Sequence, residues 1–107
     1  MKHQLRFLPE ARAEILEAAS WYRERSPRAA RDFTRRVEAA TRRIARYPFR
    51  YPRIRGEVRR LVMARFPYSI IYLVTNDEVV VLSCFHQRRD PAVWIARFED
   101  EEPGDPA

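Results

Sequence analysis

The spacing of apolar positions changes several times along the chain. In residues 2–8, KHQLRFL, His3, Leu5 and Phe7 fall on one side of a two-residue alternation, which predicts a short strand. From Pro9, which suits the first turn of a helix, the period lengthens. Ala11, Ile15, Ala18 and Tyr22 recur at steps of four, three and four, one face of a helix, and Leu16 and Ala19 widen that face. Ser26-Pro27 predicts a second helix start, because serine caps free N–H groups and proline fits the first helical position. Ala30, Phe33, Val37, Ala40 and Ile44 give its apolar face, and Arg28, Arg31, Arg35, Arg42 and Arg46 crowd the other. About three residues separate the two helices, so an antiparallel helical hairpin is expected.

Pro48 and Pro52 then break the pattern, and residues 47–57 read as a loop. Three strands are predicted after it, at 58–66, 68–74 and 79–86. Short turns at Pro67 and at Asn76-Asp77 join them, which forces an antiparallel meander. Asp90-Pro91 caps a short helix, AVWIARF. The predicted fold is α+β: an N-terminal strand, an antiparallel helical hairpin, a three-stranded antiparallel meander and a short C-terminal helix. One domain over residues 1–98 is expected, followed by an acidic, disordered tail over 99–107. Val79 and Val81 point one way and Val80, Leu82 and Cys84 the other, and Ile70 and Ile71 also diverge. Both sheet faces are therefore apolar. One hairpin covers only one of them, so the other needs the C-terminal segment or a partner chain. We read this as a sign of obligate association.

Charge sharpens the picture. The formal net charge is +6. Residues 99–107 hold five acids and no base, so residues 1–98 carry 21 basic and 10 acidic side chains, a net +11. Such a body attracts polyanions or an acidic protein. All but one of the basic side chains are arginine, the exception being Lys2, and arginine suits bidentate binding of phosphate or carboxylate. No apolar run approaches the roughly 18 residues needed to cross a bilayer, and MKHQLRFLPEARAE lacks the apolar block of a signal peptide. A soluble, cytoplasmic protein is expected. The single cysteine, Cys84, reads as a buried structural thiol.

The chemistry on offer is narrow. Two glycines exclude a phosphate-cradling loop, and two histidines with one cysteine give no metal-ligand spacing. No cofactor or metal is expected. A basic constellation remains near FHQRRDP, residues 85–91. The outer strands of a meander run parallel, which would bring Arg65 to the same end of the sheet as His86 and Arg88, with Arg53 and Arg55 leaning over from the loop. Three readings stay open: a ribonuclease site in which histidine moves a proton and arginine steadies a pentavalent phosphate, a docking site for an anion or partner, or a solvated basic rim. Trp94 is either a core staple or a stacking platform for a base. The Tyr/Phe/Arg-rich loop 47–55 is a candidate binding loop.

Several of these residues together resemble the RelE/ParE superfamily of type II toxins: Leu5-Arg6-Phe7, Ala11-x-x-x-Ile15, Arg59-Arg60, Phe66-Pro67-Tyr68-Ser69-Ile70-Ile71-Tyr72, Val80-Val81-Leu82 and His86-x-Arg88-Arg89-Asp90-Pro91-x-x-Trp94. The resemblance spans residues 3–98 and is nearer to ParE-like, plasmid-stabilisation members. It implies a toxin that causes growth arrest and is held inactive by a cognate antitoxin with an acidic, amphipathic segment. RelE-like members cut mRNA on the ribosome, whereas ParE-like members poison DNA gyrase and are not nucleases. Ser69 stands where the nucleases carry arginine, Arg53 and Arg55 stand where they carry lysines, and Trp94 stands near their terminal tyrosine. The ParE-like reading implies target- or partner-binding roles for Arg53, Arg55, Arg65, His86, Arg88, Arg89 and Trp94. The alternative, a ribosome-dependent endonuclease, would place His86, Arg88, Arg65 and Arg55 in a catalytic site.

Overall fold

Ser26 sets the shape of the helical layer. In the computed structural model, which describes residues 3–101, helix α1 (Pro9–Arg25) meets helix α2 (Pro27–Arg46) across this one residue, not the three expected. Ser26 is extended, with φ −161° and ψ 108°. Its N–H closes α1 on the Tyr22 carbonyl at 2.7 Å, and its hydroxyl accepts from the Ala29 N–H at 3.2 Å to open α2. One residue thus serves as a cap for both helices. The hairpin is antiparallel, with Ile15 and Leu16 beside Val37, Glu38 and Thr41.

The sheet has five strands and is mixed, where a three-stranded antiparallel meander with a separate N-terminal strand was expected. Its members are β1 (Gln4–Phe7), β2 (Arg53–Arg55), β3 (Val58–Val62), β4 (Tyr68–Val74) and β5 (Glu78–His86), in spatial order β1-β5-β4-β3-β2. The meander β3-β4-β5 is antiparallel, as its short turns require. Strand β1 adds to its edge in parallel, pairing Gln4 with Glu78 and Phe7 with Val81. Everything between them serves as the long connection a parallel pair demands. Strand β2, expected as loop, pairs with β3 through a tight turn at Gly56, whose φ of +54° favours glycine. The last four residues expected in the first meander strand, 63–66, form a turn instead, closed by the Met63 N–H on the Tyr68 carbonyl at 3.0 Å.

Both sheet faces are largely buried, with Arg60 and Val62 exposed at the β3 margin of one, and register shows why. Ile70 pairs with Leu61 and Cys84 on one face, while Ile71 pairs with Arg60 and Ser83 on the other, and both isoleucines are fully enclosed. The hairpin covers the first face, bringing Phe33 to Tyr68. The second is covered by α3 (Ala92–Glu101), whose Trp94 and Phe98 join the same core. A Cβ at Gly56 would sit 3.6 Å from the Phe98 ring, so α3 reaches across to the β2–β3 turn. The C-terminal segment therefore meets the demand that could otherwise have required a second chain. Asp90 caps α3 by accepting from the Ala92 N–H at 3.0 Å. The helix continues through Glu99, Asp100 and Glu101, residues expected in the acidic tail. Glu101 bonds Arg6 at 3.0 Å, with Glu78 on the same guanidinium at 3.2 Å, which fixes the Arg6 charge more firmly. The rest of the expected tail, 102–107, lies outside the described residues.

Candidate functional site

The register places Tyr68, at the start of β4, opposite His86, at the end of β5. This end of the sheet meets the C-terminal half of α1, and a groove of about 530 Å³ runs between them. Aromatic rings hold its walls. Phe33 sits centrally, with Tyr22, Phe66 and Tyr68 at centroid distances of 5.4, 5.3 and 5.4 Å. Tyr68 meets His86 edge-on at 5.0 Å. Such ring pairs add to burial energy and fix orientation. Burial raises the ionisation of both the Tyr22 and the Tyr68 hydroxyls above the usual range, so they stay protonated donors. Trp21, 51% exposed, forms the outer lip and carries the Arg25 guanidinium 3.7 Å over its ring.

His86 is half-buried, and its Nδ1 accepts from the Arg88 backbone N–H at 3.1 Å. A neutral imidazole whose Nδ1 accepts a hydrogen bond keeps its proton on Nε2. His86 lines the groove, and its Nδ1 is already engaged by the backbone.

Beneath this lies a charged cluster. Strand β1 ends opposite Val81, so β5 beyond that point has a free edge. Glu14 of α1 fills it: its carboxylate accepts from Ser83 Oγ at 2.8 Å and from the Cys84 N–H at 3.1 Å. Arg97 of α3 donates to the Leu82 carbonyl at 2.9 Å and to both Glu14 oxygens at 2.9 and 3.1 Å. Arg89 donates to Glu14 Oε2 at 2.6 Å. A buried carboxylate with this many charge-assisted donors ties α1, β5 and α3 together.

The structure sorts the sequence candidates. His86, Arg88 and Arg89 share the groove end. Arg65 joins that end in the β3–β4 turn, where its φ of 71° is strained for a residue with a side chain; the Pro67 carbonyl, two residues on, accepts from the Gln87 N–H at 3.0 Å. Arg65 does not line the groove. Arg53 and Arg55 do not come together with His86. Arg55 pairs with Val58, which pairs with Leu73, five positions along β4 from Tyr68. At about 3.3 Å per residue, that is roughly 17 Å along the sheet. Pairing β2 with β3 pulled these arginines to the opposite end, and Arg53 is bonded to Glu57 at 3.2 Å. Trp94 is 6% exposed, so no base can stack on it. It is a core staple.

Sequence reading missed Glu14 and Trp21. Glu14 was visible as a carboxylate on the apolar stripe, three positions from Ala11 and four from Ala18. Trp21 lies between positions of that stripe, and no local signal tells a lip residue from a solvated one. Among the described residues, no three His, Cys, Asp or Glu side chains converge to hold a metal, and no helix is long and apolar enough to cross a membrane.

Burial also pushes the Cys84 thiol up to about 12, helped by the Glu14 charge, and the Tyr72 hydroxyl up to about 12. The folded state holds these two protons more tightly than the unfolded chain, where they leave near 9.0 and 10.0. The stability they contribute is therefore complete below pH 9 and lost as pH rises toward 12. Melting temperature should decline across pH 9–12, with a smaller decline in a Cys84→Ala variant. An equal decline in both would show that the thiol takes no part.

Comparison with known proteins places this geometry. A family model described as the ParE toxin of the type II toxin–antitoxin system parDE matches residues 5–91. A solved structure, the chromosomal ParDE TA system from P. aeruginosa, superposes with a TM-score of 0.70 at 18% identity, covering 79% of this chain and 96% of that one. At that identity the likeness speaks for the fold. No curated protein matches the chain. The family match runs from β1 through Pro91, the residue just before α3, and on that ground the chain belongs to the ParE toxin family of type II toxin–antitoxin systems.

Proposed function

We propose that the chain arrests growth by inhibiting DNA gyrase, is not a nuclease, and is neutralised by a cognate antitoxin that presents an acidic, amphipathic segment. The observation that carries this reading is the state of the basic constellation. His86 has its Nδ1 bonded to the Arg88 N–H, Arg89 is held by Glu14, and Arg53 and Arg55 lie roughly 13 and 17 Å away along the sheet. Arginine does not act as a general base at neutral pH, and the Nδ1 of His86 is already occupied by the Arg88 N–H, which favours docking over cleavage. The net +11 of residues 1–98 supports an acidic antitoxin partner, and Arg88, Arg65 and the Trp21 lip are the surface we assign to antitoxin or target.

The test uses purified toxin, freed of antitoxin, in two assays. In coupled cell-free translation with a defined mRNA, the message should stay intact. In a supercoiling assay with purified DNA gyrase, product should fall or cleaved DNA accumulate as toxin is added. Discrete mRNA ends at ribosome-occupied codons would overturn the reading in favour of a RelE-like endonuclease, and His86→Ala should then abolish cutting.

A further inference from the structure

The loop between α2 and β2 carries a second site, at the far end of the sheet from His86. Tyr47, Pro48, Phe49 and Arg50 form a tight turn, with the Arg50 N–H on the Tyr47 carbonyl at 3.1 Å and proline at the position that favours it. The turn is pinned from below. The buried Tyr72 hydroxyl donates to the Pro48 carbonyl at 2.8 Å, and one Arg59 nitrogen donates to the carbonyls of Phe49 and Tyr51 at 3.2 and 2.8 Å. Yet two large rings on this anchored turn face solvent: Tyr47 is 47% exposed and Phe49 57%. Arg46 and Arg50 flank the Tyr47 ring at 5.7 and 5.6 Å. Rings and arginines line one open groove of about 660 Å³, completed by His3 and Pro48.

We propose that this groove binds single-stranded nucleic acid, with bases stacked on Tyr47 and Phe49 and phosphates held by Arg46 and Arg50. Three observations favour that occupant over an acidic protein segment. The apolar lining is two aromatic rings and one proline, with no leucine, isoleucine or valine to pack against a peptide's aliphatic side chain. The cations continue along the last turns of α2 through Arg42 and Arg43, and among the described residues none of these four arginines has a carboxylate partner, so a phosphate backbone has a track to follow. The rings are presented on a fixed turn, which lowers the ordering cost of stacking. The site does not depend on which macromolecule the toxin inhibits.

The test is fluorescence anisotropy of the full chain with labelled dT12 and with a 12-base-pair duplex, over a salt series. Tighter binding to dT12 than to the duplex is expected. Tyr47→Ala with Phe49→Ala should weaken dT12 binding roughly tenfold or more while leaving the salt slope unchanged. Arg46→Gln with Arg50→Gln should reduce the slope by about 1.4, at roughly 0.7 for each phosphate contact on a single strand. Arg28→Gln with Arg31→Gln, at the other end of α2, should change neither binding nor slope. Tyr47→Leu keeps apolar bulk without a flat face, so it should also bind weakly, and it stands in if the double alanine variant does not fold. No binding to dT12, preference for the duplex, or full affinity in the ring variants would overturn the proposal.

Discussion

Glu14→Ala is expected to lower stability by about 3–5 kcal/mol, the usual result of removing one partner from a buried ion pair. Glu14 is 9% exposed, and its carboxylate serves two arginines, a serine hydroxyl and a backbone N–H. Removing it leaves the Arg97 charge, itself largely enclosed, with only the Leu82 carbonyl. It also leaves the Cys84 N–H unpaired at the β5 edge, and an orphaned buried donor costs about 1–3 kcal/mol on its own. For a domain of this size the fall in melting temperature would be on the order of 15–30 °C, read by calorimetry. Glu14→Gln should recover part of the loss, because the amide oxygen still accepts while the charge is gone. A Glu14→Met, Arg97→Met pair should lie closer to the parent than Glu14→Ala alone, since no charge is then stranded. A change under about 1 kcal/mol for Glu14→Ala would mean that the cluster behaves like a solvated surface pair.

Trp94→Ala should cost about 3–5 kcal/mol through the cavity it leaves, and should also alter association. Trp94 and Phe98 bury α3 against the sheet face that the helical hairpin does not reach. If α3 loosens, Val58, Ile71, Leu73 and Val80 lose their cover. An exposed apolar face of that kind drives self-association. Val62, already 58% exposed on the same face, would extend the patch. The variant should therefore melt early and show concentration-dependent growth in size by light scattering. Trp94→Phe, which keeps most of the ring area, should show much less of both. A Trp94→Ala protein as stable and monodisperse as its parent would return the tryptophan to the surface, and with it the stacking role.

Together these two residues anchor the groove end. Glu14 locks α1 to the edge of β5, and Trp94 holds down the helix that delivers Arg97. His86, Arg88 and Arg89 lie on the segment between those anchors, so their geometry is set by packing. Docking on a preorganised surface costs less ordering entropy than docking on a mobile loop, which fits the docking role proposed for this end of the sheet.

What the sequence determined by itself is local. Apolar spacing alone placed both long helices and the three meander strands, because helical and extended backbones impose periods of 3.6 and 2 on whatever must be buried. Ser26 and Asp90 announced their helix starts, because a capping oxygen reaches only its own next turn. The apolar character of both sheet faces was legible too, as was the resemblance carried by residues 66–72 and 86–94. Tertiary structure decided the rest. No period tells β1 that its partner is β5, or tells Arg53-Ile54-Arg55 to become an edge strand, because pairing depends on which backbone edge is free once the meander has formed. That choice carried Arg53 and Arg55 away from His86 and left Arg65, Arg88 and Arg89 at its end of the sheet. Likewise a glutamate on an apolar stripe is a misfit in sequence. It became the centre of the fold's charge network only when the β5 edge, Arg89 and Arg97 closed around it, since a buried carboxylate is stable where donors converge from several elements and nowhere else.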